Sequence, residues 1–312
     1  MAQIPTDQVH RFPHEAMGTL YEVLISGFDD AYSREAALAA FQEVDRLERL
    51  FSRFNASSEI SQINRLRPGG AMRIGWETYE CLATAERVRV ETGGAFNVNY
   101  RAESIRTGRE MGGEPAADTG LGAPPAFDVF SVTDGFAVRV NQRTFEDRGR
   151  GVDLDLGAIG KGFALDRAAA VLTDWSVENF LIHGGTSTAL ARGSAPAARQ
   201  DEAGWPVGVG GIWTVPGLEK RVLLRDRTLS GSGTEVKGPH IKDPATGAAA
   251  AAHLAAWVSH PLAAVADALS TAFMVMPTAE VERYCRAHAD VWALVIEPDA
   301  KGHIFNPRIM MP

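Results

Sequence analysis

The spacing of apolar residues along the chain predicts several helices. Between residues 33 and 54 the apolar positions fall at steps of three and four, which is the pattern of an amphipathic helix. A second helix is predicted at 77–91, where Gly93 and Gly94 end it. Further helices are predicted at 161–175, 263–276 and 278–288, the last of them capped by Thr278.

Alternating positions and short apolar runs predict the strands. Residues 17–26 alternate well enough for a strand, and 136–156 is interpreted as a hairpin with alternating Val and Leu. Short buried strands are expected at 180–182, 205–209, 222–224 and 291–296, with a turn at 298–302. Hairpins mixed with long helices indicate an α+β fold in which antiparallel-rich sheets are covered by helices on one face.

Two segments show neither the helical spacing of three and four residues nor the alternation of a strand. Residues 101–126 are rich in Gly, Pro and Ala, and we expect a long loop or mobile insertion there. A second loose and mobile loop is expected at 191–203. No internal repeat interrupts the pattern, so residues 1–312 are expected to form a single domain.

Composition excludes several classes of protein. Of the 312 residues, 45% are hydrophobic and 22% are charged, as in an ordinary globular protein. The net charge of −8 argues against a nucleic-acid partner. Cys81 and Cys285 have no metal-type spacing, and we expect two buried thiols in a reducing compartment. We see no signal peptide or lipobox, and polar residues interrupt the Ala-rich stretch 248–276, so we expect no membrane span and a cytoplasmic location.

Four familiar motifs are incomplete. Gly160 and Lys161 resemble the end of a P-loop, but Asp155 stands where the first glycine is required. His183-Gly-Gly resembles an oxyanion-hole turn, yet the chain has no G-x-S-x-G sequence, so a hydrolase triad is unsupported. Neither a dinucleotide fingerprint nor a histidine pair suited to zinc is present.

The first segment that suits phosphate chemistry runs from Val152 to Asp166. A predicted strand carrying Asp153 and Asp155 leads through a Gly-rich turn into a helix, with Lys161 in its first turn. A helix N-terminus attracts anions, so this turn is a candidate phosphate site. The alternative is a structural ion pair between Asp155 and Lys161.

The second segment combines a Ser-Gly-Ser-Gly run at 230–233 with a His-Ile-Lys-Asp-Pro-Ala-Thr-Gly stretch at 240–247. The Ser-Gly repeats are candidates for anion-binding backbone nests, and His240 and Asp243 are candidates for proton transfer. The alternative is an ordinary turn with a surface histidine.

The third segment is a predicted helix in which Asp267 and Thr271 stand four residues apart, so both oxygens share one face. Its other neighbours are apolar, and a carboxylate there needs a partner, for which a hard cation would suit. The alternative is an ion pair for Asp267 and a hydrogen bond from Thr271 to its own helix backbone.

Together these segments resemble the ApbE family of flavin transferases. The motifs M-G-T, G-A-F-N, D-L-G-A-I-G-K-G, H-G-G, H-I-K-D-P-A-T-G and A-D-A-L-S-T-A follow the family's order from about residue 17 to about residue 276. The resemblance implies an ApbE-like (T-fold-like) architecture. It also implies cleavage of the FAD pyrophosphate, transfer of FMN to a Ser or Thr hydroxyl of an acceptor protein, release of AMP, and Mg²⁺ as the metal.

The resemblance assigns roles to residues that match the family's motifs. The metal would be held by side-chain oxygens and one backbone carbonyl, from Asp267, Thr271 and Ala158. FAD would be bound by polar and apolar residues, namely Asp155, Lys161, Met17, Phe54, Ala95, Phe96, Asn97 and Ile241. His240 is the candidate base for the acceptor hydroxyl, because a neutral imidazole takes up a proton near pH 7.

Three positions depart from the family's pattern. Asn97 stands where Asp is usual, Ser232 follows the Ser-Gly pair where an aromatic residue is common, and Thr186 follows the H-G-G motif where Asn is usual. Three functions therefore stay open: FMN transfer, FAD pyrophosphatase activity with water as the acceptor, and FAD binding without catalysis. A redox flavoenzyme is a fourth reading that no motif supports.

Overall fold

An eight-stranded antiparallel sheet forms the centre of the fold. The computed structural model describes residues 8–100, 130–133, 137–140, 152–196, 203–235 and 238–310. The sheet has the strand order β1-β2-β6-β7-β10-β11-β12-β13. Its strands are β1 (Val9–Ala16), β2 (Thr19–Ser26), β6 (Phe180–Gly184), β7 (Thr188–Arg192), β10 (Arg227–Gly233), β11 (Ala255–His260), β12 (Trp292–Ile296) and β13 (Gly302–Phe305). Two small sheets contain β3 (Ala71–Arg73), β5 (Ala137–Val140) and β4 (Phe130–Thr133), and β8 (Trp205–Gly208) and β9 (Arg221–Leu224).

Helices cover one face of the large sheet, as predicted. They are α1 (Asp30–Phe51), α2 (Glu59–Ile63), α3 (Trp76–Glu91), α4 (Gly160–Asp174), α5 (Ala263–Val275) and α6 (Thr278–Ala287). Alternate side chains of β2, including Tyr21, Val23 and Ile25, enter the core beneath these helices. The opposite face forms a second, smaller core that includes Trp205, Leu224 and Trp292. The small β8–β9 sheet contributes to this core, so the α+β prediction is confirmed and the two faces carry different layers.

The five predicted helices are present. Some of their ends differ from the prediction, because the structure has other capping residues than the sequence indicated. The α1 helix begins at Asp30 because the Asp29 carboxylate accepts a hydrogen bond from the Tyr32 N–H at 2.8 Å. It ends at Phe51, which leaves Phe54 outside the helix. The prediction that Thr278 caps α6 is wrong, because Pro277 holds the cap position and the Thr278 hydroxyl donates to Glu297 instead.

Two predictions about strands and loops need correction. Residues 137–140 form a strand, but 152–156 do not complete a hairpin with it; side-chain amides hold that segment, with Asn64 Oδ1 accepting the Leu154 N–H at 2.7 Å. The loop expected at 191–203 starts later, because β7 continues to Arg192. Residues 197–202 and the loop expected at 101–126 lie outside the described residues.

Cys81 and Cys285 are both buried and free, as expected. Burial raises the pKa of both thiols, that of Cys285 to about 12. In the described ranges, none of the helices has the length and apolar character that crossing a bilayer requires.

Candidate active site

A large cavity lies at one end of the central strands. It has a volume of about 1210 Å³, and it is bordered by Thr19, Gly185, Gly233 and Ala255, which stand at or beside strand ends. Because it opens at strand ends, the cavity is in contact with the helical layer on one face of the sheet and with the smaller layer on the other. Such a site can gather side chains from both layers.

All the residues that the resemblance assigned to FAD, metal or catalysis line this one cavity. They come from separate parts of the chain: the β1–β2 turn, the end of α1, the segment after α3, the start of α4, the loop after β10, and α5. They are Met17, Phe54, Ala95, Phe96, Asn97, Asp155, Ala158, Lys161, His240, Ile241, Asp267 and Thr271.

Asp267 is a buried carboxylate of the cavity lining with several polar contacts. The residue is only 4% exposed, and Lys161 Nζ lies 3.2 Å from Oδ2. The Gly162 N–H donates to the same oxygen at 3.1 Å. The ion-pair alternative for Asp267 therefore describes a real contact, with Lys161 as the partner.

Hydroxyl groups from two strands surround the other carboxylate oxygen. The Thr188 and Ser230 hydroxyls each lie 3.4 Å from Asp267 Oδ1 and 2.9 Å from each other. Thr271 donates to the backbone carbonyl of Asp267 at 3.3 Å, which is the back-bond considered above. Motif reasoning missed Thr188 and Ser230, although they belong to the Thr-Ser-Thr and Ser-Gly-Ser-Gly stretches.

Asp155 is paired with Arg53 rather than with Lys161. The Arg53 guanidinium lies 3.2 Å from Asp155 Oδ2, and Oδ1 accepts the Gly157 N–H at 2.9 Å. The alternative of an Asp155–Lys161 pair is therefore wrong. Arg53 also lines the cavity and lies over the Phe54 ring at 5.3 Å, which brings a cation beside an aromatic surface.

Met17 occupies the turn of the β1–β2 hairpin. Its φ of 50° and the φ of 68° at Gly18 are both positive, as a two-residue type I′ turn requires. Behind it, the buried Tyr21 hydroxyl donates to Met17 Sδ at 3.2 Å. Burial raises the Tyr21 pKa, and the negative charges of Asp267 and Glu48 add to the effect, so the phenol stays protonated.

Aromatic side chains give the cavity a surface for planar rings. Phe96 is buried, whereas Phe54 is 89% exposed at the cavity edge. Asn97 is buried, and its Oδ1 accepts the Asn99 N–H at 2.8 Å. Asn97 thus holds the local turn while it borders the cavity.

The structure agrees with only part of the prediction for the second segment, residues 230–233 and 240–247. The Ser-Gly run is not an anion-binding nest, because residues 230–233 belong to β10 and pair with β11. Asp243 organises the Asp-Pro-Ala-Thr-Gly turn, where its carboxylate accepts the Ala245 N–H and the Thr246 hydroxyl, each at 2.9 Å. His240 is exposed at the cavity, with Nδ1 2.9 Å from the Gly238 carbonyl.

The α4 and α5 helices cap each other, and this contact places Lys161 beside Asp267. Neither helix has a capping side chain at its own N-cap, which is Ile159 in α4 and Leu262 in α5. Instead Asp166 of α4 accepts the N–H groups of Ala263 and Ala264 at 2.7 and 2.9 Å. Asp267 of α5 does the same for the first turn of α4 through Gly162, so each carboxylate lies at a positive helix end.

Asp166 predicts a pH dependence of stability. Burial raises its pKa from 3.8 to about 6, so the folded protein holds this proton more tightly than the unfolded chain. Stability from this group is present below pH 4 and is lost as pH rises towards 6. Relative to Asp166→Asn, we expect the free energy of unfolding of the unchanged protein to fall by up to about 1.4 kcal/mol per pH unit across this window. Urea unfolding at several pH values measures this difference; a difference that stays constant from pH 4 to 7 would contradict it.

The oxygen donors around Asp267 suit a hard cation. Asp267, Thr271 and Ala158 all line this cavity, and these residues carry a carboxylate, a hydroxyl and a backbone carbonyl. Mg²⁺ binds in this way, through one or two carboxylates together with phosphate oxygens of a ligand. No cluster of three or more His, Cys, Asp or Glu suited to a metal is found in the part of the chain that the structure describes.

Comparison with known proteins gives concordant matches. The model of the ApbE family matches residues 17–295. A FAD:protein FMN transferase of Treponema pallidum (strain Nichols) is 28% identical over 304 residues, which are 91% of this chain and 83% of that protein.

Solved structures share the fold. The apo flavinyl transferase ApbE of Pseudomonas stutzeri superposes with a TM-score of 0.76 at 19% identity, and 99% of each chain is covered. The flavin transferase ApbE of Vibrio cholerae gives 0.75 at 18% identity, covering 97% of this chain and 100% of that one. The ApbE protein of Thermotoga maritima gives 0.73 at 22% identity, covering 96% and 98%.

Proposed function

The chain belongs to the ApbE family, and from this premise we propose that it transfers FMN from FAD to a Ser or Thr hydroxyl of an acceptor protein, with AMP as the other product and Mg²⁺ as the metal. One observation carries the proposal: the residues assigned to FAD, metal and base share a single cavity around the buried Asp267–Lys161 pair. The transferase named in Treponema pallidum supports the same reaction.

FAD binding is assigned to groups with matching chemistry. Lys161 and the N-terminus of α4 offer positive charge to the pyrophosphate, beside which Ile241 supplies apolar contact. Arg53 keeps Asp155 in place at the cavity edge. The planar rings of FAD are matched by the apolar and aromatic surface of Met17, Phe54, Ala95 and Phe96, with Asn97 as a polar group within it.

The transfer step replaces the phosphoanhydride bond of FAD by a phosphodiester bond between FMN and the acceptor. The acceptor hydroxyl oxygen forms a bond to the phosphorus of the FMN half, and the pyrophosphate P–O bond to the AMP half breaks. The hydroxyl proton passes to His240, and AMP leaves with the bridging oxygen. Asp267, Thr271 and the Ala158 carbonyl would hold Mg²⁺, which when bound neutralises charge on the phosphate oxygens.

His240→Ala is expected to slow FMN transfer by about 100-fold or more, the range typical for loss of a general base. FAD affinity should stay unchanged, because the exposed imidazole has the Gly238 carbonyl as its contact. The measurement is single-turnover transfer together with a FAD titration. His303→Ala, on the edge strand β13 and outside the cavity lining, is the control. Wild-type transfer by His240→Ala would remove the assignment.

AMP release with and without acceptor separates the proposal from its alternatives. A transferase releases AMP in proportion to acceptor hydroxyl, since that oxygen is the nucleophile. Equal AMP release without acceptor would indicate a pyrophosphatase that uses water. Bound FAD with no AMP in either case would indicate a flavin-binding protein without catalysis, and Asn97→Asp would then be the variant to test.

A further inference from the structure

Part of the cavity lining has no role in the proposed binding of FAD and metal. It lies on the opposite face of β10 from Asp267, because Ser230 faces Asp267 whereas Gly231 faces Trp257. Trp213 and Trp257 dominate this region, together with Gly211 and Lys220. We call Trp213 and Trp257 the tryptophan wall.

The tryptophan wall is a fixed surface. The two indole rings meet edge to face with their centroids 6.0 Å apart. Lys220 Nζ donates to the carbonyls of Gly211 and Trp213 at 2.8 and 2.6 Å, which ties the intervening loop down. Trp257 lies so close to β10 that a Cβ at Gly231 would stand 2.8 Å from its indole nitrogen. The absence of a side chain at Gly231 therefore permits this position of the indole.

We propose that the tryptophan wall binds the acceptor protein, through an extended segment that carries an apolar side chain next to the Ser or Thr that receives FMN. The inference rests on the proposed function, which requires two substrates in one cavity. A volume of about 1210 Å³ exceeds the ~300–1,000 Å³ of an ordinary ligand pocket, so the cavity has room for part of a second molecule.

Exposure places the wall where a protein can reach it. Both indoles are only partly buried, and Ile212 beside them is 69% exposed. Asp267, in contrast, is deeply buried on the other side of the strand. Aromatic residues at an open, partly apolar surface are typical of protein contacts.

Charge favours a neutral peptide over the phosphates of FAD at this wall. Lys220 already donates hydrogen bonds to two backbone carbonyls. The Glu235 carboxylate is also close, because its Oε2 lies 3.0 Å from the position that a Cβ at Gly211 would take. A carboxylate beside the wall repels a second anion, whereas the first turn of α4 and Lys161 attract one. The two parts of the cavity thus suit different substrates.

The test uses the full chain with FAD, Mg²⁺ and a synthetic peptide library in which Ser or Thr is flanked by three randomised positions on each side. Mass spectrometry identifies the peptides that gain FMN, and FAD affinity is titrated separately. The variants are Trp213→Ala and the exposed Ile212→Asp, which removes an apolar rim residue without touching the core. The exposed residues Trp76 and Val90 of α3 provide matched controls as Trp76→Ala and Val90→Asp.

The unchanged protein should prefer peptides with apolar residues beside the hydroxyl. Trp213→Ala and Ile212→Asp should each lower transfer to these peptides by about 10-fold or more, with FAD affinity changed less than about twofold and the controls unaffected. Weaker FAD binding with unchanged peptide preference would assign the wall to FAD and overturn the inference. Wild-type rates of peptide transfer and wild-type FAD affinity in both variants would also overturn it. Failure of the unchanged protein to modify any peptide would instead contradict the proposed function on which the inference rests.

Discussion

Asp267→Asn is expected to lower FMN transfer by at least about 100-fold and to remove the response of the protein to Mg²⁺. Loss of outer partners of a metal ligand alone costs about 10–100-fold, so loss of the carboxylate itself costs no less. Asn keeps one acceptor oxygen for the Gly162 N–H but removes the negative charge that Lys161 and a cation require. The measurement is transfer rate against Mg²⁺ concentration, together with the Mg²⁺-dependent rise of melting temperature in the presence of FAD.

The control for this variant is Asp174→Asn, at the exposed end of the helix that carries Lys161. It makes the same chemical change far from the cavity and should leave the rate and the Mg²⁺ response unchanged. A wild-type Mg²⁺ response in Asp267→Asn would show that this carboxylate does not hold the metal.

Gly162→Ala is expected to destabilise the fold by roughly 3 kcal/mol, at the upper end of the range for overpacked positions. A Cβ at Gly162 would stand 2.2 Å from the Ala263 carbonyl oxygen and 2.8 Å from the Ala264 nitrogen. These are backbone atoms at the start of α5, so α4 and α5 would have to separate. Separation breaks both mutual caps and moves Lys161 away from Asp267, so FMN transfer should fall with stability.

Gly160→Ala, two residues earlier in the same helix, is the matched control for stability. A Cβ there would meet only side-chain atoms of Leu156 and Phe51, at 3.6 and 3.7 Å. Gly160 has no positive φ, so alanine fits its backbone, and replacing glycine at such a position stabilises proteins by about 0.4–1 kcal/mol; this variant should be as stable as the wild-type protein or more so. Equal free energies of unfolding for the two alanine variants would contradict the mutual-cap description.

The parts of the fold that sequence predicted well are those with a strong local signal. The α1 period of apolar positions and the glycines after α3 locate both helices to within a few residues. The strands β7 and β10 were not predicted. Their residues, such as Thr188 and Ser230, are small or polar, so these segments lack the alternation of apolar residues that indicates a strand. Their burial follows from neighbouring strands and helices, which no local pattern reveals.

The candidate site shows the same division. Motifs identified residues that the structure places in one cavity, because glycines, Asp267 and Lys161 carry a recognisable local chemistry. The partners of those residues were misread or missed. Arg53, rather than Lys161, pairs with Asp155 across 102 positions of the chain, and Asp166 caps a helix almost 100 residues away. Such contacts depend on helix packing and register, which residue spacing alone does not define.

The intact mass of an acceptor domain with a flavinylation Ser or Thr, after incubation with the chain, FAD and Mg²⁺, tests the central claim most directly. The account predicts that the acceptor gains the mass of one FMN and that an equal amount of AMP is released. With the Asp267→Asn variant in place of the wild-type protein, it predicts no mass gain. Bound FAD without any mass gain or AMP release would contradict it.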